Sequence, residues 1–193
     1  MKKFKLTSEF IVDISGVKLF RIKALIEFGN VKAGDLGGYI EKEENLSHMG
    51  NAWVSGNAQV SGNAQVSGDA RVSGDAQVFG NARVSSNARV SGDAQVFGDA
   101  RVSGNAQVFG DARVSGDARV SGDKDYAYAH GFGSCNRTTT FFRLKDGDVG
   151  VRCGCFYGTL AQFRDNVCET HGETKKAQEY LMLADLMDFR FKN

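Results

Sequence analysis

Small and branched apolar residues alternate with polar ones in a period of six through the middle of the chain. From Gly50 to Gly122 the pattern Gly-(Asn/Asp)-Ala-(Gln/Arg)-Val-(Ser/Phe) recurs twelve times without an insertion or deletion, with Trp53 and Ser86 as the two departures from it. In an extended segment, the Ala and the Val of each hexad point to one side, and the Gln or Arg between them points to the other. A period of six fits neither a helix nor a hairpin, so the hexad itself is the predicted folding unit.

Each hexad predicts one short strand and one corner. Glycine tolerates positive φ, and Asn and Asp are the next most permissive residues, so the Gly-Asn/Asp pair suits the corner. Three sides give a triangular coil, and twelve hexads give four coils with a height of about 19 Å at roughly 4.8 Å per strand. The spacing of six also includes Ile40 and Leu46 upstream and Tyr126 and Phe132 downstream, which predicts a fifth coil if the repeat extends that far. The step of eight residues from Leu46 to Val54 predicts a small bulge or loop.

The segments that flank the hexads predict two different caps. Phe10–Ile14 and Val17–Ile22 are predicted strands of an amino-terminal β cap, which would cover the edge of the first coil. Beyond the hexads, strands are predicted at Arg137–Leu144 and Val149–Cys155, and a helix at Leu160–Thr170 follows a capping-box sequence. A second helix after Thr174 completes a ββαα arrangement. The predicted domains are a β cap over 1–49, a repeat body over 50–122 that extends to 133 if the spacing continues, and an α+β domain over 134–193.

The hexads resemble those of hexapeptide-repeat proteins, which form left-handed parallel β-helices. The resemblance implies the left hand, which the period alone does not determine. The segment LFRIKALIEFGNVKAGDLGGYIEKEENLS is similar to the amino-terminal cap of such proteins in bacteria, phages and prophages, which are often described as transferases without a demonstrated activity. The stretch GSCNRTTTFFRLKDGDVGVRCGCFYGTLAQFRDNVCETHG resembles a carboxy-terminal domain of phage-associated hexapeptide proteins. We therefore expect an all-β dominated fold with a small α+β domain.

Stacking every third hexad sorts the outward residues into three faces. One face carries Arg83, Arg101 and Arg119, which places like charges about 5 Å apart and is unfavourable without nearby negative charge. Asp99 and Asp117 at neighbouring corners are one source of that charge, and an anion such as a nucleotide phosphate is the other. A second face carries Trp53, Arg71, Arg89 and Gln107. The candidate binding residues are Arg83, Arg101, Arg119, Arg71 and Arg89.

Three hexads have Phe instead of Ser after the Val, at Phe79, Phe97 and Phe109. Phe79 and Phe97 are eighteen residues apart, so they are predicted to stack on one face. Each of the three follows Gln-Val, so charge is absent beside every exposed ring. Such a stripe favours contact with another chain, and the alternative is that two stacked rings support each other on a solvated face. The predicted interface of a homo-oligomer, a trimer or a dimer, contains Phe79, Phe97, Phe109, Gln77 and Gln95.

Composition and charge exclude several functional classes. The formal net charge is +1, and six Arg and six Asp cancel within the repeat, so bulk charge gives no signal for nucleic-acid or membrane binding. No apolar run approaches the length of a membrane span, and no apolar segment follows the basic start, so no signal peptide is predicted. The absence of proline suits a ladder in which nearly every N–H donates. We expect a cytoplasmic protein of a bacterial host cell.

The four cysteines are predicted to be reduced thiols, because no secretory signal precedes them. Cys153 and Cys155 would lie on one side of a strand, and Cys168 and His171 would share a helix face, so together they have the side chains of a zinc site. The spacing C-x-C…C-x-x-H is less specific than two C-x-x-C motifs. Packed thiols are therefore the preferred interpretation, and no metal or other cofactor is predicted.

The residues favour binding over catalysis. The resemblance to hexapeptide-repeat acyltransferases implies a histidine general base and an acyl-CoA held between subunits. The hexads contain no His and no Lys, however, and His130 would be the base if the protein were an acyltransferase. The preferred hypothesis is a non-enzymatic phage-type protein, a rigid oligomeric β-helix that binds or blocks a bacterial host factor or sequesters a small anionic nucleotide. Acyl transfer is the alternative.

Overall fold

The hexads, together with the segment just before them, fold into a β-solenoid of about five turns whose faces are stacks of two-residue strands. The computed structural model describes residues 1–134 and 137–192. Each strand contains the outward residue and the Val of one hexad, and it pairs in parallel with the strands of the coils below and above. The strands are β4 (Trp53–Val54), β5 (Gln59–Val60), β6 (Gln65–Val66), β7 (Arg71–Val72), β8 (Gln77–Val78), β9 (Arg83–Val84), β10 (Arg89–Val90), β11 (Gln95–Val96), β12 (Arg101–Val102), β13 (Gln107–Val108), β14 (Arg113–Val114) and β15 (Arg119–Val120).

Three sheets enclose a core of alanine and valine. Face A contains β5, β8, β11 and β14, face B contains β4, β7, β10 and β13, and face C contains β6, β9, β12 and β15. The Ala and Val of every hexad are at most 1% exposed, and each Val stacks on the Val of the next coil, as Val72 does on Val90. The predicted repeat unit, the inward residues and the assignment of outward residues to three faces are therefore confirmed.

The corners depend on positive backbone φ and on very close stacking. At Gly98, φ is 69°, and a Cβ there would lie only 2.9 Å from the backbone nitrogen of Gly116 in the next coil. Among the residues that the structure describes, Ser86 alone adopts a positive φ without being glycine. The polar side chains beside the corners pair between coils, and Asn63 Nδ2 donates to Asn81 Oδ1 at 3.2 Å. These contacts explain why glycine recurs so strictly.

The amino-terminal segment extends face A and supplies the first turn of the solenoid. It forms β1 (Phe4–Val12), β2 (Lys18–Ala24) and β3 (Leu36–Ile40). The first three strands pair antiparallel, and β3 pairs in parallel with β5. Ile40 lies opposite Val60, and Leu46 bridges to Val66, so the solenoid begins upstream of residue 50, the predicted start of the repeat body. Residues 47–52 form the connection expected from the step of eight.

The carboxy-terminal domain begins earlier than residue 134. Its antiparallel sheet contains β16 (Tyr126–Phe132), β17 (Arg137–Arg143), β18 (Val149–Cys153) and β19 (Phe156–Thr159) in that order. The two predicted strands are present, and β16 and β19 are two further ones. Tyr126 and Phe132 do not continue the solenoid, because residues 123–125 form a 3-10 turn that redirects the chain. Tyr126 still packs on the end of the solenoid core.

Two helices cover one side of this sheet, α1 (Leu160–His171) and α2 (Lys175–Phe191). The predicted capping box is present, since Thr159 accepts from the backbone N–H of Gln162 and the Gln162 side chain accepts from that of Thr159. Gly172 ends α1 with a φ of 58°. Tyr180 of α2 is buried against this sheet, whereas Leu186 on the same helix is exposed. Within the described residues, neither helix combines the length and apolar character needed to cross a bilayer.

The two ends of the solenoid leave opposite backbone groups unpaired. The two outer bonds of each strand pair run from the N–H groups of one coil to the carbonyls of the next, as Gln59 N donates to Ala76 O at 2.9 Å and Ser61 N to Val78 O at 3.0 Å. The central bond of a parallel pair runs the opposite way. The first coil therefore has an excess of carbonyls with no coil below them, and the last coil has an excess of N–H groups with no coil above them. Buried carbonyl and N–H groups need partners. The chain outside the repeat must supply donors at the first end and acceptors at the second.

The amino-terminal cap supplies donors. Lys3 Nζ donates to Ala52 O at 2.9 Å, and Asn45 Nδ2 donates to Ala64 O at 2.9 Å and to Gly62 O at 3.1 Å. Both capping side chains are at most 1% exposed.

The carboxy-terminal end supplies acceptors. Thr140 Oγ1 accepts from Arg113 N at 3.0 Å, and Asp125 Oδ2 accepts from Ser121 N at 3.0 Å. Asp123 Oδ1 accepts from Gln107 N at 3.3 Å. Each cap thus supplies the hydrogen-bonding groups that its end of the solenoid lacks, donors at the first coil and acceptors at the last.

Candidate functional site: the outer faces of the solenoid

Arg83, Arg101 and Arg119 form one straight row on face C. Arg101 pairs in register with Arg83 on one side and with Arg119 on the other. Arg83 and Arg101 are exposed, and Arg119 is half-buried. Lys145 lines the same groove at the carboxy-terminal end of the row, where its backbone N–H donates to Asp117 O at 3.1 Å. We call these four cations the arginine row.

The arginine row is not neutralised by contact ion pairs. In residues 1–134 and 137–192, no carboxylate lies within 4.0 Å of a charged nitrogen of the row. Asp99 and Asp117, the predicted partners, line the groove without pairing with it. Arg119 Nη1 instead donates to backbone carbonyls, at 2.8 Å to Ala118 O and 3.0 Å to Asp99 O. Arg83 and Arg101 therefore keep their donors available to a partner.

Arg71 and Arg89 lie on face B and do not join the arginine row. They stack in register, as the period predicts. Arg89 is exposed, but Arg71 is half-buried and reaches the cap beside Gly29. Trp53, predicted as an outward residue of this face, is 4% exposed because the cap covers it. The five predicted binding arginines therefore lie on two different faces, three on face C and two on face B. Of the two on face B, Arg89 is the exposed one.

Phe79 and Phe97 stack as predicted, with centroids 4.9 Å apart and an interplanar angle of 1°. Both rings are half-buried, and the guanidinium carbon of Arg152 lies 5.4 Å from the Phe97 centroid. Phe109 follows a strand of face B, so it lies away from the pair and meets Tyr128 edge-on at 5.5 Å. The Phe stripe therefore consists of Phe79 and Phe97, with the half-buried Gln77 and Gln95 beside them on face A.

The tip of the amino-terminal hairpin adds apolar surface next to this stripe. Residues 11–15 and Phe79 line a groove of about 440 Å³ together with Gln59, Ser61 and Gln77. Val12 is 55% exposed, and Ile14 protrudes fully into solvent. No sequence pattern predicts that the hairpin tip lies beside Phe79. The two are neighbours because the hairpin joins the sheet of face A in the tertiary structure.

The four side chains considered as an alternative zinc site, Cys153, Cys155, Cys168 and His171, are not brought together. Within the described part of the chain, no three His, Cys, Asp or Glu side chains are grouped for a metal ion. Strand β18 ends at Cys153, whose Sγ accepts from Thr139 Oγ1 at 3.2 Å, so Cys155 falls in the following turn. Cys168 is exposed, and the His171 ring stacks on Tyr180 with centroids 5.8 Å apart. Cys135, the remaining thiol, lies outside the described residues.

His130 lies at the opposite end of the solenoid from His48. The His130 Nδ1 is 2.8 Å from Thr138 Oγ1 and 3.9 Å from Asp111 Oδ2. His48 belongs to the amino-terminal cap, where its Nδ1 accepts from Lys3 N at 3.2 Å and its ring stacks on Phe4 at 4.4 Å. One chain therefore cannot combine the two imidazoles in one site.

Comparison with protein families supports the repeat architecture. A family model described as YdcK Beta solenoid repeat matches residues 58–74, 64–78, 76–92, 94–110 and 106–122. All five segments lie within the solenoid, so the repeats are similar to those of that family, and the similarity does not reach either flanking domain. No curated protein matches the chain.

Proposed function

We propose that the chain is a non-enzymatic binding protein of phage or prophage type that binds and blocks an acidic surface of a bacterial host protein in the cytoplasm. The observation that carries the proposal is the arginine row. Its guanidinium groups stand in register on a β-sheet, and no carboxylate neutralises them by contact within the described residues. Complementary charge of this kind increases association rates and selects partners.

The carboxylates beside the row favour a protein partner over a small nucleotide. Arg83 and Arg119 are two strand spacings apart, so the row is roughly 10 Å long. Asp99 and Asp117 line the same groove, and they would repel a compact polyphosphate. A protein surface can place its own carboxylates against the arginines and its donors against the aspartates. The rigid ladder holds the row in place before binding, which limits the entropy lost on association.

Removing charge from the row is expected to abolish capture of the host protein. Arg83→Gln/Arg101→Gln keeps the length of both exposed side chains, and Arg89→Gln on face B is a matched control. In pull-downs from a bacterial lysate at low salt, we expect wild type and the control to retain the same protein. The double variant should lose it by at least tenfold, because two charge-assisted contacts disappear. Equal capture by the double variant, or no capture by wild type, would refute the proposal.

We also propose that the protein is a homo-oligomer that associates through the Phe stripe and the hairpin tip. The support is the apolar surface formed by Phe79, Val12 and Ile14 next to the uncharged Gln77. A few buried apolar side chains at the centre of an interface contribute more binding energy than a large buried area does by itself.

Phe79→Ser/Phe97→Ser should therefore convert a dimer or trimer into a monomer when mass is measured by light scattering. Phe109→Ser, on another face, should leave the mass unchanged. Circular dichroism would verify that each variant is folded. A wild type that is monomeric at high concentration, or a folded double variant of unchanged mass, would contradict the proposed interface.

Acyl transfer is the alternative function, and the position of His130 is the observation in its favour. The imidazole lies in a cleft beside Thr138 and Cys155, where a ligand could reach it. Turnover of acetyl-CoA with a panel of amines would support this alternative against the binding function.

A further inference from the structure

A cleft between the last coil of face A and the carboxy-terminal sheet contains three arginines that the proposed function does not use. The cleft has a volume of about 750 Å³, and Arg113, Arg137 and Arg152 line it. Arg113 belongs to β14, Arg137 begins β17, and Arg152 lies in β18. The three are separated by up to 39 positions along the chain, so only the packing of the sheet on the solenoid brings them together. We call this site the junction cleft.

The junction cleft has an excess of positive charge. None of the three guanidinium groups has a carboxylate within 4.0 Å among residues 1–134 and 137–192. Asp111 is the one carboxylate that the described residues contribute to the lining, and its Oδ2 lies 3.9 Å from the imidazole of His130. Three cations and one anion therefore face the same space, whereas the arginine row on face C alternates with two aspartates.

Arg152 is held in place by packing rather than by a counter-ion. Its guanidinium carbon is 5.4 Å from the centroid of Phe97 and 6.0 Å from that of Tyr157. Contact with aromatic faces stabilises the cation and fixes its orientation. The Nε atom of Arg152 is buried and has no hydrogen-bond partner within the described part of the chain. A buried donor without a partner is costly, so an acceptor supplied by a ligand would stabilise the site.

Hydroxyl and imidazole groups complete the polar lining. Thr138 Oγ1 lies 2.8 Å from His130 Nδ1, so these two side chains position each other. Thr138 is adjacent to Arg137 at the start of β17, and both line the cleft. The cleft is therefore lined by guanidinium groups, a hydroxyl and an imidazole from four strands.

We propose that the junction cleft binds a small phosphate-bearing ligand of about nucleotide size. Guanidinium groups match the oxygens of phosphate with paired hydrogen bonds, and three of them can neutralise a diphosphate. The volume is in the range of about 300–1,000 Å³ that is usual for small-molecule sites. The site is separate from the arginine row, so the protein has one surface for an acidic protein and another for a small anion.

Calorimetry with pyrophosphate, ADP and adenosine tests this site on the full chain. We expect pyrophosphate and ADP to bind and adenosine, which lacks phosphate, to give no measurable heat. Arg113→Gln and Arg137→Gln remove charge from exposed side chains and should each weaken ADP binding by about tenfold, the effect of one lost charge-assisted contact. Arg89→Gln on face B, outside both the arginine row and the junction cleft, is the matched control and should bind ADP as wild type does.

Three results would overturn the proposal. The first is no binding of pyrophosphate or ADP at millimolar concentration, the second is equal binding of adenosine and ADP, and the third is an equal loss in Arg89→Gln and Arg137→Gln. Melting curves would verify that each variant is folded. Loss of host-protein capture by Arg83→Gln/Arg101→Gln with ADP binding intact would separate the two sites.

Discussion

Asn45→Asp, which exchanges one nitrogen for an oxygen, is expected to lower the free energy of unfolding by about 4 kcal/mol. The Asn45 amide is fully buried and donates to the carbonyls of Gly62 and Ala64. A carboxylate has the same shape but accepts only, so both carbonyls would lose their donor and face a negative charge. Each buried group left unpaired costs about 1–3 kcal/mol, and burial of the charge adds to this.

Urea denaturation at several pH values would measure this loss. At acidic pH the introduced carboxyl is protonated and can donate again, so the loss should shrink as pH falls. The folded state raises the pKa of such a group, and stability then decreases as pH rises. Asn105→Asp is the matched control and should change stability by less than about 0.5 kcal/mol, because Asn105 is an exposed corner residue whose Oδ1 only accepts from Asn87 Nδ2. A change below about 1 kcal/mol in Asn45→Asp would show that the amide does not cap the first coil.

Stability is expected to rise with pH between about 8 and 10.5 because of Lys3. Burial, with a smaller contribution from the nearby Arg71, lowers the Lys3 pKa from 10.5 to about 8, and Asp69 opposes this shift. Between these pH values the unfolded chain holds a proton that the folded chain has lost, so unfolding takes up a proton. Stability therefore increases with pH in this window, by on the order of 3 kcal/mol in total. The neutral amine still donates to Ala52 O, so the cap survives deprotonation.

Comparison of wild type with Lys3→Met isolates this effect. Met retains the apolar length of the side chain but has neither the titrating group nor the donors. The difference in unfolding free energy between the two proteins should widen from pH 7.5 to 10. Burial also raises the pKa of Tyr126, which lowers stability at high pH, but that contribution is common to both proteins and cancels. Parallel pH profiles would contradict the assignment of Lys3 as a buried capping amine.

Both experiments probe one property of a parallel solenoid, the direction of its hydrogen-bond ladder. Carbonyls without partners accumulate at the first coil, and N–H groups accumulate at the last. Lys3 and Asn45 are donors at the first end, and Asp123 and Asp125 are acceptors at the second. This polarity explains why the two caps have different composition, and it gives the flanking domains a structural role besides binding.

The arginine row was predictable because periodicity fixes register. A strict period of six places residue i beside residue i+18, so the neighbours of Arg101 follow from counting. The stack of Phe79 on Phe97 follows in the same way. Lys145 could not be predicted as a member of the row, because it comes from a turn between β17 and β18 whose position depends on how the carboxy-terminal sheet docks.

The sequence by itself determined the solenoid and its three faces, because the strict repeat places each residue beside the one about eighteen positions further along. It also determined the two helices, because local capping signals mark where they begin. Only the tertiary structure decided the end caps, the covering of Trp53 and the junction cleft. These features join residues far apart in sequence, such as Lys3 with Ala52 and Arg113 with Arg152. These features are stabilised by burial and hydrogen bonding between the solenoid and its flanking domains. No local sequence pattern predicts which surfaces of the solenoid and the domains will pack together.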